Sequence, residues 1–352
     1  MPLAYKRNEV KDRVRSTWRG MCSVTIPSFT TDFKGLNAKA IAHDVQLGAK
    51  HGFWGTLIAS ESGTTFQEYL QFMEIAAEAA PKGFALVTHL SHNTLDEMVE
   101  AAKYAESLGF EGALLNYPPS FRPKSASDVV AFSREVSEQT DLALILFAVA
   151  TWGFGQLDPA QFPHDALAEM SRFPTAAAIK YEAANPGMIG GLADVRRKVG
   201  DNVIVECPLE HYAPGLIDWF GMQWMGTSSY ESYADRVPRW FKLLHDGKWD
   251  EGMKLYWSYQ QARQAKTAFH GTFPGANLIH RVGWKYMGWL QGYSGGLLRM
   301  PAMRLLPAQM RPLRAGFAAS GFDLPENDDG FWAGRFPTEQ TNPEAVLAAA
   351  AR

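Results

Sequence analysis

The chain has 352 residues, 46% of them apolar and 20% charged, with a formal net charge of −3. That is a globular composition with material for a large core, and it carries no basic excess of the kind a nucleic-acid partner would need. The longest apolar run, near Leu142 to Phe154, is too short to span a bilayer, so no membrane partner is expected. Residues 1–19 interleave Lys6, Arg7, Lys11, Arg13 and Arg15 with acids, lack an apolar signal core, and space Val10, Val14 and Trp18 as a short N-terminal helical extension. Cys22 and Cys207 both lie in apolar runs and read as reduced core residues of a cytoplasmic protein. Eleven tryptophans and twenty-one phenylalanines serve either as core filling or as the lining of an aromatic pocket.

An alternation then begins. Short apolar runs fall at Met21–Pro27, Phe53–Ala59, Phe84–Leu90, Glu111–Asn116, Leu142–Ala148, Ala176–Tyr181, Val203–Cys207 and Met222–Thr227. Between and after them, Leu36–Lys50, Glu68–Ala80, Leu95–Leu108, Ala126–Gln139, Asp165–Arg172, Met188–Val199, Ala213–Phe220 and Arg236–His245 repeat apolar residues every three or four positions. Eight strand–helix units predict an α/β fold, a (β/α)8 TIM barrel over residues 20–246. A doubly wound open sheet is the alternative, with fewer units. No glycine-rich phosphate loop follows the first run, and no cofactor is called for. After Gly247 the strands stop. Asp250–Lys266, Ala276–Leu290 and Ala302–Ala319 read as a C-terminal helical appendage over 247–321, and 322–352 as an irregular tail ending in a short alanine-rich helix.

A barrel of this kind works at the C-terminal ends of its strands. The residues falling there are Thr25 and Ser28, the turn Ser60-Glu61-Ser62-Gly63-Thr64, His89 and His92, Asn116 and Tyr117, Phe147 and Trp152, Lys180 and Glu182, Glu206, and Thr227-Ser228-Ser229. Ala176-Ala177-Ala178-Ile179 leads straight into Lys180. An apolar lining disfavours an ammonium, and a free amine can attack a ketone to form a Schiff base. The alternative is a lysine that snorkels to water. The hydroxyls and amides of Ser60–Gly63 can hold a carboxylate, or the segment is a plain turn with Thr64 or Thr65 capping the next helix. His89, His92, Glu206 and His211 lack a tight ligand spacing, and pocket or capping histidines are favoured over a metal site.

With these pieces in place the chain resembles the dihydrodipicolinate synthase/N-acetylneuraminate lyase family of Schiff-base class I aldolases, over roughly residues 18–321. The marks are the run ending in Lys180, the Ser60-Glu61-Ser62-Gly63 turn, Tyr117-Pro118-Pro119, Leu144-Ile145-Leu146-Phe147, and Gly295-Gly296-Leu297-Leu298-Arg299-Met300-Pro301. The resemblance implies a barrel with a C-terminal helical bundle, a homotetramer, and a lyase or aldolase that holds a pyruvate-type 2-oxo acid as an imine on Lys180, with an aldehyde as the other small-molecule partner. It implies that Ser62, with Ser60 and Gly63, binds the substrate carboxylate.

The chain also departs from the family. Phe147 stands where the family has a proton-shuttling tyrosine, Glu61 where a threonine relays protons to it, Trp152 near a substrate-binding arginine, and Ser120 at the place of an inter-subunit tyrosine. The Lys180-Tyr181 pair and the N-terminal extension resemble hydratase-aldolases of aromatic 2-oxo acids, for which Tyr117, Phe147, Trp152 and Phe154 would line a ring pocket. A sugar-acid dehydratase or lyase of the same family, and a ligand-binding barrel without turnover, are the alternatives. Glu61 is expected to replace the tyrosine, with burial beside Phe147 raising its pKa.

Overall fold

The computed structural model describes residues 3–183, 187–271 and 279–338. Eight parallel strands follow one another as β1 (Gly20–Thr25), β2 (Gly55–Ile58), β3 (Ala85–Leu90), β4 (Gly112–Leu115), β5 (Ala143–Val149), β6 (Ala176–Glu182), β7 (Ile204–Glu206) and β8 (Trp224–Met225). Their order is β7-β6-β5-β4-β3-β2-β1-β8, so consecutive strands are neighbours and β8 returns to β1 through Gly20↔Trp224 and Met21↔Met225. This is the (β/α)8 barrel rather than the open sheet. β7 and β8 share no ladder. At that seam the amide of Gly226 donates to Oε2 of Glu206 (3.3 Å), so a side chain bridges where backbone pairing stops.

A helix precedes the barrel, α1 (Val10–Thr17), and one follows each strand: α2 (Ala38–Lys50), α3 (Phe66–Ala79), α4 (Leu95–Ser107), α5 (Ala126–Gln139), α6 (His164–Met170), α7 (Met188–Val199), α8 (Ala213–Phe220) and α9 (Arg236–His245). Several starts are set by local chemistry. Asn37 accepts from the Ala40 amide, and Thr94 from that of Glu97. Thr65 and Glu68, like Ser125 and Asp128, satisfy each other's amides as capping boxes, an arrangement that removes orphan N–H donors from the first turn. The cap is therefore Thr65, and the Ser60–Gly63 turn is left free of that task.

The N-terminal segment closes the bottom of the barrel. Trp18 is fully buried, its ring 5.1 Å from those of Trp54 and Trp224, and its indole N–H meets Glu111 Oε1 at 3.3 Å. Arg13 pairs with the same carboxylate at 2.9 Å. Tyr5 donates to the carbonyl of Glu111 and accepts from the amide of Ala143, tying the extension to β4 and β5.

Beyond the barrel lie α10 (Trp249–Ser258), α11 (Gln260–His270), α12 (Arg281–Trp289), α13 (Pro307–Ala319) and α14 (Asp329–Ala333). The single helix expected over Asp250–Lys266 is two. The chain breaks at Tyr259 (φ −115°, ψ 28°), and the guanidinium of Arg263 takes the Tyr256 carbonyl beside the break at 2.7 Å. The helix expected from Ala302 begins at Pro307, whose fixed φ suits a first helical turn. The first residues of the expected Ala276–Leu290 helix and the alanine-rich end fall outside the described residues. Among the described residues no helix is long and apolar enough to cross a membrane.

Candidate active site

Successive side chains of a strand point to opposite faces. On β6 this sends Lys180 into the barrel and its neighbour Tyr181 out into the helix layer. Both ends are then fixed. Outside, the Tyr181 hydroxyl lies 2.9 Å from Nε2 of His164, and Nδ1 of His164 lies 2.8 Å from Asp194 Oδ2. A carboxylate only accepts, so Nδ1 carries a proton, and in the neutral ring Nε2 is then the acceptor for the Tyr181 hydroxyl. The chain runs from α6 to α7 and clamps β6 between them. Gly191 makes room for it, since a Cβ there would sit 2.1 Å from the Tyr181 oxygen. Inside, Lys180 is 5% exposed, and Nζ donates to the carbonyl of Thr227 at 2.8 Å, with Thr227 Oγ1 at 3.4 Å. The lysine does not snorkel to water.

Its register partners define its surroundings. Phe147 on β5 pairs with Lys180, and Nζ stands 4.2 Å from the centre of that ring. Glu206 on β7 pairs with it on the other side. Glu206 is 1% exposed, and its Oε1 has no partner among the described residues. Burial pushes its carboxyl well above the usual range, against the pull of the Lys180 charge. Burial likewise raises the thiol of Cys22, which faces the same interior across Gly226. Glu182, two residues on from Lys180 and on the same face, brings Oε2 to 3.5 Å from Nζ.

The turn after β2 lies at the same end of the barrel. Ser60 is buried, its hydroxyl 3.2 Å from Nδ1 of His89 and bonded to the Ser91 carbonyl at 3.1 Å. The Ser60 amide donates to that Nδ1, so the proton of the neutral His89 ring sits on Nε2, 2.7 Å from the Asn116 carboxamide, whose otherwise unpartnered oxygen accepts it once the amide is turned to face the ring. Burial holds His89 neutral, with its pKa down at about 3. His92 packs edge-on against Phe66 and Tyr69 and is pushed down to about 4, also by burial. Ser62 is 3% exposed, and its hydroxyl has no partner among the described residues. Gly63 takes φ +82°, and a Cβ there would meet the Arg299 carbonyl at 2.8 Å, so the turn is seated on the Gly295–Pro301 segment of the appendage.

Glu61 differs from the expectation. Its carboxylate accepts from the Ser91 hydroxyl and pairs with Arg281 of α12 at 3.1 Å. The enclosure of the carboxylate end raises the pKa, but the charge that His89 takes up at the low pH where Glu61 titrates, the Arg281 guanidinium and the hydrogen bonds outweigh it and hold the carboxyl down at about 2. The side chain is still 41% open to the mouth. The expected upward shift beside Phe147 is therefore corrected to a downward one: His89 and the Arg281 guanidinium, not the Phe147 ring, set the charge state of Glu61. Arg281, 8% exposed, is a site residue the sequence did not indicate, because it arrives from a helix 220 positions away.

The aromatic lining is also narrower than expected. The Tyr117 hydroxyl bonds Ser133 of α5 at 3.0 Å, and its ring stacks on Phe121 behind the barrel wall. Phe154 is 1% exposed and packs with Tyr117 and Phe162. Phe147 and Trp152 are the two that keep partly open faces, set edge-to-face at 5.7 Å, with the Trp152 indole donating to the Phe147 carbonyl at 2.8 Å.

The fold and site together define a class, a (β/α)8 barrel with a buried lysine pointing inward from β6. The model of the dihydrodipicolinate synthetase family matches residues 19–266, and the chain belongs to that family. It is an enzyme of the class I aldolase type, a carbon–carbon or carbon–oxygen lyase. Among curated relatives, the 4-hydroxy-tetrahydrodipicolinate synthase of Methanosphaerula palustris is 23% identical over 291 residues, covering 78% of this chain and 91% of its own. Among solved structures, dihydrodipicolinate synthase from Oceanobacillus iheyensis superposes with a TM-score of 0.73 at 16% identity, covering 89% of this chain and 99% of that one. Proteus mirabilis N-acetylneuraminate lyase superposes with a TM-score of 0.72 at 16% identity, covering 87% and 99%.

Proposed function

We propose that the protein is a Schiff-base lyase in which Lys180 binds a pyruvate-type 2-oxo acid as an imine. The observation that carries this is the placement of Nζ, buried, inward and held at 2.8 Å by Thr227 at the end of the barrel where substrates enter. The nitrogen attacks C2 of the oxo acid, water leaves, and the resulting iminium draws electrons from C3, so that a bond from C3 to carbon, or from C4 to oxygen, can be made or broken. Ser62 and the amides near Gly63 take the substrate carboxylate. The support is a buried hydroxyl with no partner of its own on a turn at the mouth.

Within this class the reading extends to a hydratase-aldolase of an aromatic 2-oxo acid. Phe147 and Trp152 support it, being apolar, half-open and perpendicular to one another, a geometry that accepts a flat ring. Glu61, ionised and paired with Arg281, holds that guanidinium at the mouth. A cytoplasmic homotetramer completes the reading, carried by the family resemblance and open to light scattering.

The test is borohydride reduction in the presence of pyruvate, followed by mass spectrometry of the digested protein. A reduced adduct on Lys180, absent from Lys180→Arg, is the expected result. An adduct elsewhere, or none, overturns the reading.

A further inference from the structure

Phe147 cannot move a proton, yet imine formation requires one to leave the lysine and reach the substrate oxygen. The other candidates at the mouth are occupied. Both oxygens of Glu61 are taken, by Ser91 and Arg281. His89 is enclosed between Ser60 and Asn116. The Tyr117 hydroxyl faces Ser133. Glu206 is sealed in the barrel interior and makes no ion pair with Lys180.

Glu182 is different in each respect. Its Oε2 is 3.5 Å from Nζ, and its carboxylate has no other hydrogen bond or ion pair among the described residues. Being two residues further along β6, it stands above the lysine on the substrate side. Its side chain is 25% exposed where that of Lys180 is 6% exposed, so it reaches both the buried amine and the open mouth.

We propose that Glu182 carries the protons between Lys180 and the substrate oxygen. The proposal rests on Lys180 being the imine-forming residue. The ammonium hydrogen-bonds Thr227 O and Thr227 Oγ1, and the third polar group beside it is the Glu182 carboxylate at ion-pair distance. Passing a proton to Glu182 frees a lone pair directed at the mouth. Nζ then bonds to C2, the carbonyl π pair moves to oxygen, and Glu182 returns its proton there. A second proton follows the same route from nitrogen to oxygen, the C2–O bond breaks, and water departs. Nitrogen goes from three hydrogens to one, oxygen gains both, and Glu182 ends as the carboxylate it began as.

The experiment is timed borohydride quenching of the wild type and of Glu182→Gln with pyruvate, read by intact mass. Gln keeps the shape and cannot carry a proton, and trapping should slow by about 10²–10⁴-fold. In Glu182→Ala, added acetate should restore part of the lost rate. Glu182→Asp, which keeps the carboxyl, should exceed Gln and serves if the Gln variant unfolds by circular dichroism. If Glu182 acted only by holding the ammonium through its charge, removing it would favour the free amine, and trapping would be unchanged or faster; either result overturns the proposal. So does a slow Ala variant that acetate leaves slow. A wild type that never forms the Lys180 adduct instead overturns the Lys180 reading, and this one with it.

Discussion

Lys180 and Phe147 are register partners across β5 and β6, with the lysine nitrogen 4.2 Å from the centre of the phenyl ring. The ring face presents negative quadrupole to the ammonium, an attraction of about 0.5–2 kcal/mol depending on how far the pair is desolvated. A double-mutant cycle of Phe147→Leu and Lys180→Met, measured by urea unfolding near neutral pH, should give a coupling energy in that range. Zero coupling would reduce Phe147 to apolar packing.

Ser62→Ala separates binding from stability. The hydroxyl is buried without a partner among the described residues, so its removal should leave the melting temperature unchanged or slightly higher. A hydrogen bond to a charged carboxylate contributes about 1.5–3 kcal/mol, so half-saturation by a 2-oxo acid should need about 10–100-fold more ligand. An uncharged analogue should be affected far less. A stability loss with equal effects on both ligands would mean that Ser62 serves the turn alone.

Glu206 gives a pH dependence of defined sign. Burial raises its folded pKa above the ordinary 4.5, so between 4.5 and the folded value the native state holds a proton that the unfolded chain has released. Stability contributed by this group is full below about 4.5 and is lost as pH rises through that window. Melting temperatures of the wild type should therefore fall more steeply, as pH rises above the ordinary 4.5, than those of Glu206→Gln. Parallel curves would place Glu206 outside this role.

The outer clamp on β6 is tested at Gly191. An alanine there would press its Cβ against the Tyr181 hydroxyl at 2.1 Å, so Gly191→Ala should cost about 1–3 kcal/mol and slow adduct formation at Lys180 by shifting the strand. Adding Tyr181→Phe removes the obstructing oxygen, and the double variant should regain part of the loss. Additive losses would show that the close approach does not matter.

Much of the architecture was legible in the chain. The eight apolar runs became the eight strands, most within a residue or two, because burial on both faces of a parallel sheet writes itself as a local apolar run. Lys180 was legible for the same reason: the four apolar residues before it place its strand in the wall and itself at the C-terminal end. Thr65 as a cap and the glycine in the Ser60–Gly63 turn are equally local.

What the tertiary structure decided is where each polar side chain finds its partner. The sequence put Glu61 beside Phe147 and raised its pKa; Arg281, brought in by α12, holds it ionised instead. Tyr117 was placed toward the pocket, and Ser133 drew its hydroxyl to the helix layer. Glu206 and Glu182 were only two acids near strand ends until barrel closure set one beside the lysine and the other above it. Periodicity reports which face of an element is buried, because that depends on neighbours along the chain. The charge and hydrogen-bond state of a buried group depends on atoms within a few ångströms, which come from segments up to 220 residues away, and only the closed fold selects them.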